Sequence, residues 1–128
     1  MTGWIGILGL HNLVYFAENH KSEALNVLKD SKHPRYWYGF ATAGINLTAK
    51  LLELMNLYTL NFLFYDKSQP LDVFNDLYVK TFIAFNKFWM KEKATVMQFN
   101  EKKNEFFKKL KNYAMISGNI DPFFKLND

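Results

Sequence analysis

A chain of 128 residues that is 49% hydrophobic and 22% charged is sized for one domain and is too apolar for intrinsic disorder. It has no cysteine, which excludes disulfides, thiolate metal sites and cysteine chemistry together and points to a reducing, intracellular compartment. The net charge of +4 arises wholly in the second half: residues 1–66 carry five basic and five acidic side chains, residues 67–128 eleven and seven.

The first helix is predicted from Leu8 to about Asn19, where Leu10, Leu13, Val14 and Ala17 recur at helical spacing. The stretch from Trp4 to Phe16 is apolar, but no Lys or Arg precedes it and no small-residue cleavage pattern follows, so it does not read as a signal peptide. Asn19-His20-Lys21-Ser22 supplies capping candidates, and Ser22 precedes a short second helix that has Leu25 and Leu28 on one side and ends near Asp30. Ser31 to Arg35, with Pro34, form a loop, and Tyr36-Trp37-Tyr38-Gly39-Phe40 opens a third helix.

In that helix Ala41, Ile45, Thr48, Leu52 and Met55 make one stripe, widened by Leu47, Leu51 and Leu54 until nearly every side is apolar. Such a helix belongs at the centre of a bundle, and Lys50 and Glu53 argue against a membrane span. The sequon Asn46-Leu47-Thr48 sits mid-helix and is set aside.

Asp66 to Gln69 read as a turn, with Pro70 favoured in the first turn of a fourth helix. Leu71, Phe74, Leu77, Tyr78, Phe82, Phe85, Phe88 and Trp89 give that helix the most regular stripe in the chain, and Lys91-Glu92-Lys93-Ala94 ends it. Thr95-Val96-Met97-Gln98 has the form of a capping box, and Val96, Phe99, Phe106, Leu110 and Tyr113 carry a last helix to Ser117-Gly118. No segment alternates like a strand. The expected fold is all-α, a bundle of about five helices.

Catalytic constellations are scarce. His11, His20 and His33 have no ligand spacing, and Gly3, Gly6 and Gly9 form a GxxGxxG that lacks the ending of a phosphate-binding loop. Asp72 with Asp76, and Glu101 with Glu105, are pairs one turn apart of the kind that face solvent. No catalytic residue, metal or cofactor is expected.

From Lys87 to Lys111 eight lysines face three acids, with Lys102, Lys103, Lys108 and Lys109 as the candidate basic patch. Such a patch is a solvated face or a docking site for an anionic membrane surface, an acidic protein surface or nucleic acid. Nucleic acid is the least favoured partner, because Arg35 is the only arginine available for bidentate contacts. Arg35, Trp37 and Tyr38 are the candidate partner-binding residues, expected at an exposed edge where aromatic and Arg side chains make hot spots.

Three stretches, in order, resemble the ELMO domain, the engulfment and cell motility module. Gly6-Ile7-Leu8-Gly9-Leu10-His11-Asn12-Leu13-Val14-Tyr15-Phe16-Ala17 is similar to the family's G-x-L-G-L-x-N-L-x-Y-F-A segment. Tyr38-Gly39-Phe40-Ala41-Thr42-Ala43-Gly44-Ile45-Asn46-Leu47-Thr48 resembles its Y-P-F-A-x-A-G-I-N-I-T signature, with Gly39 in place of Pro. Phe85-Asn86-Lys87-Phe88-Trp89 and Met97-Gln98-Phe99-Asn100 resemble its late F-x-x-x-W and M-x-F-N segments.

The resemblance implies an all-α domain that regulates small GTPases in the cytoplasm or peripherally at membranes. One branch of the family accelerates GTP hydrolysis on Arf-like GTPases. The other, the engulfment proteins, acts as a scaffold with DOCK-type exchange factors on Rac. Where the activating branch carries its proposed Arg, this sequence has Gly3.

The resemblance therefore implies an interaction module without arginine-based activation. The alternatives are an active Arf-like GTPase-activating protein, if Met1 is a misplaced start, and a basic helical protein that docks on membranes. Residues 1–128 would be an ELMO domain lacking its N-terminal segment, exposing part of the third helix's stripe. Asn12, Asn46, Thr48, Trp89 and Asn100 are its signature positions, with Asn46 and Thr48 expected to be buried and structural.

Overall fold

The apolar periodicity described above becomes five α-helices in a computed structural model that describes residues 2–56, 70–117 and 123–124. They are α1 (Thr2–Asn19), α2 (Lys21–Ser31), α3 (Phe40–Asn56), α4 (Pro70–Lys91) and α5 (Phe99–Ser117), with a 3-10 turn at Val96–Gln98 before α5. The described residues include no strand, and the fold is an all-α bundle.

Helix α1 begins at Thr2 instead of Leu8, running through glycines that would each cost about 1 kcal/mol relative to Ala in an isolated helix. Packing offsets that cost. A Cβ at Gly9 would stand 3.1 Å from the Ile45 side chain, and one at Gly44 would stand 2.6 Å from both Leu13 and the Tyr78 hydroxyl. The two glycines let α1 and α3 lie unusually close.

Only His20 separates α1 from α2, and its backbone bonds back to Phe16 and forward to Ala24, so the corner is closed without a side-chain cap. Ser22 therefore lies inside α2. This corner sets the rotation of α2, which buries Ala24, Val27 and Ser31, half-buries Leu28 and leaves Leu25 exposed.

Helix α3 starts at Phe40, with Gly39 accepting the first backbone bond from Ala43. It buries Ala43, Leu47, Thr48, Leu51 and Leu54 while Ala41, Thr42 and Glu53 face outward. Of the expected stripe, Leu47, Thr48, Leu51 and Leu54 are interior, Ile45 and Leu52 are half-buried and Ala41 is exposed. The central position belongs instead to α4, which packs against all four other helices and buries Phe74, Leu77, Tyr78, Phe82, Phe85 and Trp89.

Helix α4 opens on Pro70 and ends at Lys91, where Lys93 takes a left-handed φ of 51° and Ala94 N–H reaches back to the Trp89 carbonyl at 3.2 Å. Gln98 Oε1 accepts the Thr95 N–H at 3.1 Å, as the capping box predicts for that half of the motif. Phe106, Phe107, Leu110 and Ala114 then bury α5 against the bundle. The turn expected at Asp66 to Gln69 and the helix end at Gly118 lie outside the described residues.

The core is largely aromatic. Phe16, Phe40 and Phe82 pack together, and Phe106 meets Phe85 edge-on at 5.5 Å and Phe88 at 5.6 Å. Such offset pairs each contribute about 1 kcal/mol beyond area burial.

Candidate functional site

Three regions could carry function: a polar interior, a loop it supports, and the outward faces of α1 and α5. In the interior, Asn12 donates to Asn75 Oδ1 at 2.8 Å and accepts from the Thr48 hydroxyl at 2.8 Å, joining α1, α3 and α4. All three side chains are buried, so each bond matters: an unpaired polar group there costs about 1–3 kcal/mol. Asn12 and Thr48 are fully enclosed and bonded to each other. Asn46 differs, being only half-buried, donating to the Thr42 carbonyl and accepting from Lys103 Nζ at 3.3 Å.

A second buried chain runs from Tyr38 Oη to Asn86 Oδ1 (2.7 Å) and from Asn86 Nδ2 to Asp30 Oδ2 (2.9 Å). Burial, with the Asp30 charge adding to it, pushes the Tyr38 phenol up, so it donates at any ordinary pH. Tyr38 is 3% exposed, which corrects its assignment to an exposed binding edge. Its ring packs edge-on to Phe85 and Trp89, and the aromatic motif that suggested an interface is a core anchor.

That anchor holds residues 32–39 as a shaped loop. Tyr38 N–H bonds to Ser31 O at 2.9 Å and Trp89 Nε1 donates to Tyr36 O at 2.6 Å. His33 Nδ1 accepts the N–H groups of Arg35 and Tyr36, and its ring stacks on Tyr36 at 4.5 Å. The loop therefore presents Arg35 and the 48% exposed Trp37 on a fixed backbone. Two of the three candidate partner-binding residues are available to a partner.

The outer face of α1 went unrecognised in the periodicity. Gly9, Asn12 and Phe16 form its buried side, while Ile7, Leu10 and Val14 are 68%, 61% and 46% exposed. Of the residues whose spacing predicts the helix, Leu10, Val14 and Ala17 face out. Positions 7, 10, 14 and 17 repeat along this face with heptad spacing. No charged side chain occurs before Glu18. That uncharged heptad pattern was the available signal, masked by the assumption that apolar means buried.

The lysine patch divides. Lys102 pairs with Glu92 (3.3 Å) and Glu105 (3.4 Å), Lys109 pairs with Glu105 (3.7 Å) and lies over the Phe88 ring, and the Glu92 bond holds Lys102's pKa up. Lys103 bonds to Asn46 and to Asn100, an exposed signature position, while burial and the Lys50 charge lower its pKa. Lys108 lines a groove between α3 and α5 with Lys50 and Lys111. The four residues thus do not act as one cationic surface.

Among the described residues no group of three or more His, Asp and Glu side chains could hold a metal ion. Tyr15 donates to Asp76 at 2.9 Å, a bond that raises the phenol's pKa and makes this carboxylate a structural acceptor. No helix among the described residues is long and apolar enough to cross a membrane.

The order of these features along the chain, from the α1 signature through the α3 signature to Trp89 and Asn100, coincides with a family model, ELMO/CED-12, that matches residues 4–103. The chain belongs to the ELMO/CED-12 family. It is 40% identical over 111 residues to ELMO domain-containing protein 2 of Bos taurus, covering 84% of this chain and 38% of the relative. It is 39% identical over 107 residues to ELMO domain-containing protein B of Dictyostelium discoideum, covering 83% and 37%. To ELMO domain-containing protein 1 of Homo sapiens it is 30% identical over 135 residues, covering 83% and 40%. The ELMO chain described here thus spans about two-fifths of the length of these curated relatives. No solved structure matches it.

Proposed function

We propose that this chain is a small-GTPase regulatory interaction module that binds an Arf-like or Rac-pathway GTPase, or a DOCK-type exchange factor, without supplying a catalytic arginine. The observation that carries the reading is the ELMO/CED-12 match over residues 4–103, which spans the exposed apolar face of α1. A contiguous apolar stripe on one helix suits a protein partner, since isolated exposed apolar residues need no explanation but a row of them does.

Gly3 supports the second half of the reading. A glycine cannot offset charge developing on a transferring phosphoryl group as a guanidinium does. Arg35 is on the separate loop 32–39, where with Trp37 it forms a second contact point.

Binding of the 128-residue chain to Arf-like and Rac GTPases, each loaded with GDP or a non-hydrolysable GTP analogue, tests the proposal. Leu10→Glu combined with Val14→Glu should weaken the complex more than about 100-fold, and Trp37→Ala about tenfold, as interface anchors do. Binding that ignores the α1 charges would refute α1 as the docking face, and no binding to any loaded GTPase or DOCK-type protein would refute the function.

A further inference from the structure

The α3–α5 groove carries a different chemistry. It is a cavity of about 330 Å³ into which Lys50 reaches from α3 and Lys108 and Lys111 from α5, with Asn104 as a further donor and Phe107 and Leu54 among its apolar lining. Glu53, the one acid in the lining, pairs with Lys50 at 3.4 Å. Among the described residues Lys108 and Lys111 have no carboxylate partner, in contrast to Lys102 and Lys109. A larger cavity of about 450 Å³, between α2 and α4, has no such bias, because Glu23 and Asp30 stand among its lysines.

On α5 the spacing of four, three and four residues puts Asn104, Lys108, Lys111 and Met115 on one helical face. Met115 is 66% exposed, and its neighbour Ile116 is more so. Cationic groups with exposed apolar side chains one turn beyond form the arrangement with which a protein settles into the headgroup layer of an anionic bilayer.

We propose that the groove between α3 and α5 binds the phosphorylated headgroup of an anionic membrane lipid through Lys50, Lys108, Lys111 and Asn104, with Met115 and Ile116 entering the acyl boundary. The site is narrower than the stretch from Lys87 to Lys111: it excludes Lys102 and Lys109 and recruits Lys50 from another helix. It is independent of the GTPase reading, which concerns α1 and loop 32–39.

Co-sedimentation of the full chain with vesicles tests this. The vesicles are phosphatidylcholine alone, phosphatidylcholine with phosphatidylserine, and phosphatidylcholine with phosphatidylinositol bisphosphate at matched surface charge; soluble inositol trisphosphate is the competitor. The expected results are preference for the bisphosphate vesicles, a loss of at least about tenfold in Lys108→Glu/Lys111→Glu, a several-fold loss in Met115→Ser/Ile116→Ser, and little change in Lys102→Glu/Lys109→Glu. Circular dichroism confirms that each variant is folded, and Lys111→Ala replaces any that is not.

Equal binding to the phosphatidylserine vesicles would overturn the site in favour of a diffuse field, as would an equal loss in the Lys102/Lys109 variant. Soluble inositol trisphosphate bound as tightly as the vesicles, with no Met115/Ile116 effect, would overturn the membrane source. Binding to no vesicle would overturn the proposal altogether.

Discussion

Helices α1 and α5 each turn one side to the same core and the other side outward, yet their outward sides are opposites. That of α1 is apolar and uncharged around Ile7, Leu10 and Val14; that of α5 is studded with lysines, some matched by Glu92 and Glu105 and some not. Core packing demands neither pattern, because an outward side needs only to be tolerated by water. The difference underlies the two proposals, a protein partner on α1 and an anionic surface on the groove side of α5.

If the two helices are equivalent inside and different outside, substitutions on their inner sides should cost stability and those on their outer sides should not. Phe106→Ala, which empties a fully enclosed aromatic site on α5, is expected to destabilise by about 4 kcal/mol in denaturant titration. Asn12→Ala, on the inner side of α1, should cost about 3 kcal/mol, because Asn75 loses its donor and Thr48 its best acceptor in a buried setting. Gly44→Ala should cost about 2 kcal/mol by forcing α1 and Tyr78 away from α3.

The pH dependence follows from the same interior. The phenols of Tyr15, Tyr38 and Tyr78 are all held above the ordinary tyrosine range, by the Asp76 hydrogen bond for the first and by burial for the others. Their contribution to stability is therefore complete below about pH 10 and is lost as pH rises toward the folded-state values. Thermal melting should hold steady to about pH 9 and fall above pH 10, less steeply in Tyr38→Phe. Smallest of all, Leu10→Ser and Lys109→Ala should each change stability by no more than about 0.5 kcal/mol. A loss as large as that of Asn12→Ala would make the outer face of α1 part of the fold and end the comparison.

The fold was legible because the regular spacing of Phe74, Leu77, Phe82, Phe85 and Trp89 fits only a buried helical side. Which sides of α1 and α2 meet the core was not legible, for a physical reason. In α1 the core side is built from Gly9, Asn12 and Phe16, so the more hydrophobic residues are outside, and in α2 a one-residue corner sets a rotation that composition does not encode.

Site legibility divides along the same line. The exposure of Arg35 and Trp37 was legible because loop chemistry was readable around Pro34, whereas Tyr38 was misplaced because its hydroxyl finds Asn86, 48 positions away. The split of the lysines was equally hidden, since Lys50 joins Lys108 and Lys111 only across the packed helices.

The central claim, that this ELMO chain engages its GTPase by binding and not by arginine catalysis, is tested most directly by single-turnover GTP hydrolysis. The GTPases that bind the chain would be measured with and without it at saturating concentration. The account predicts a bound complex whose hydrolysis rate stays within about twofold of the GTPase alone. A stimulation of about 1,000-fold or more, the scale on which an arginine finger acts, would contradict it.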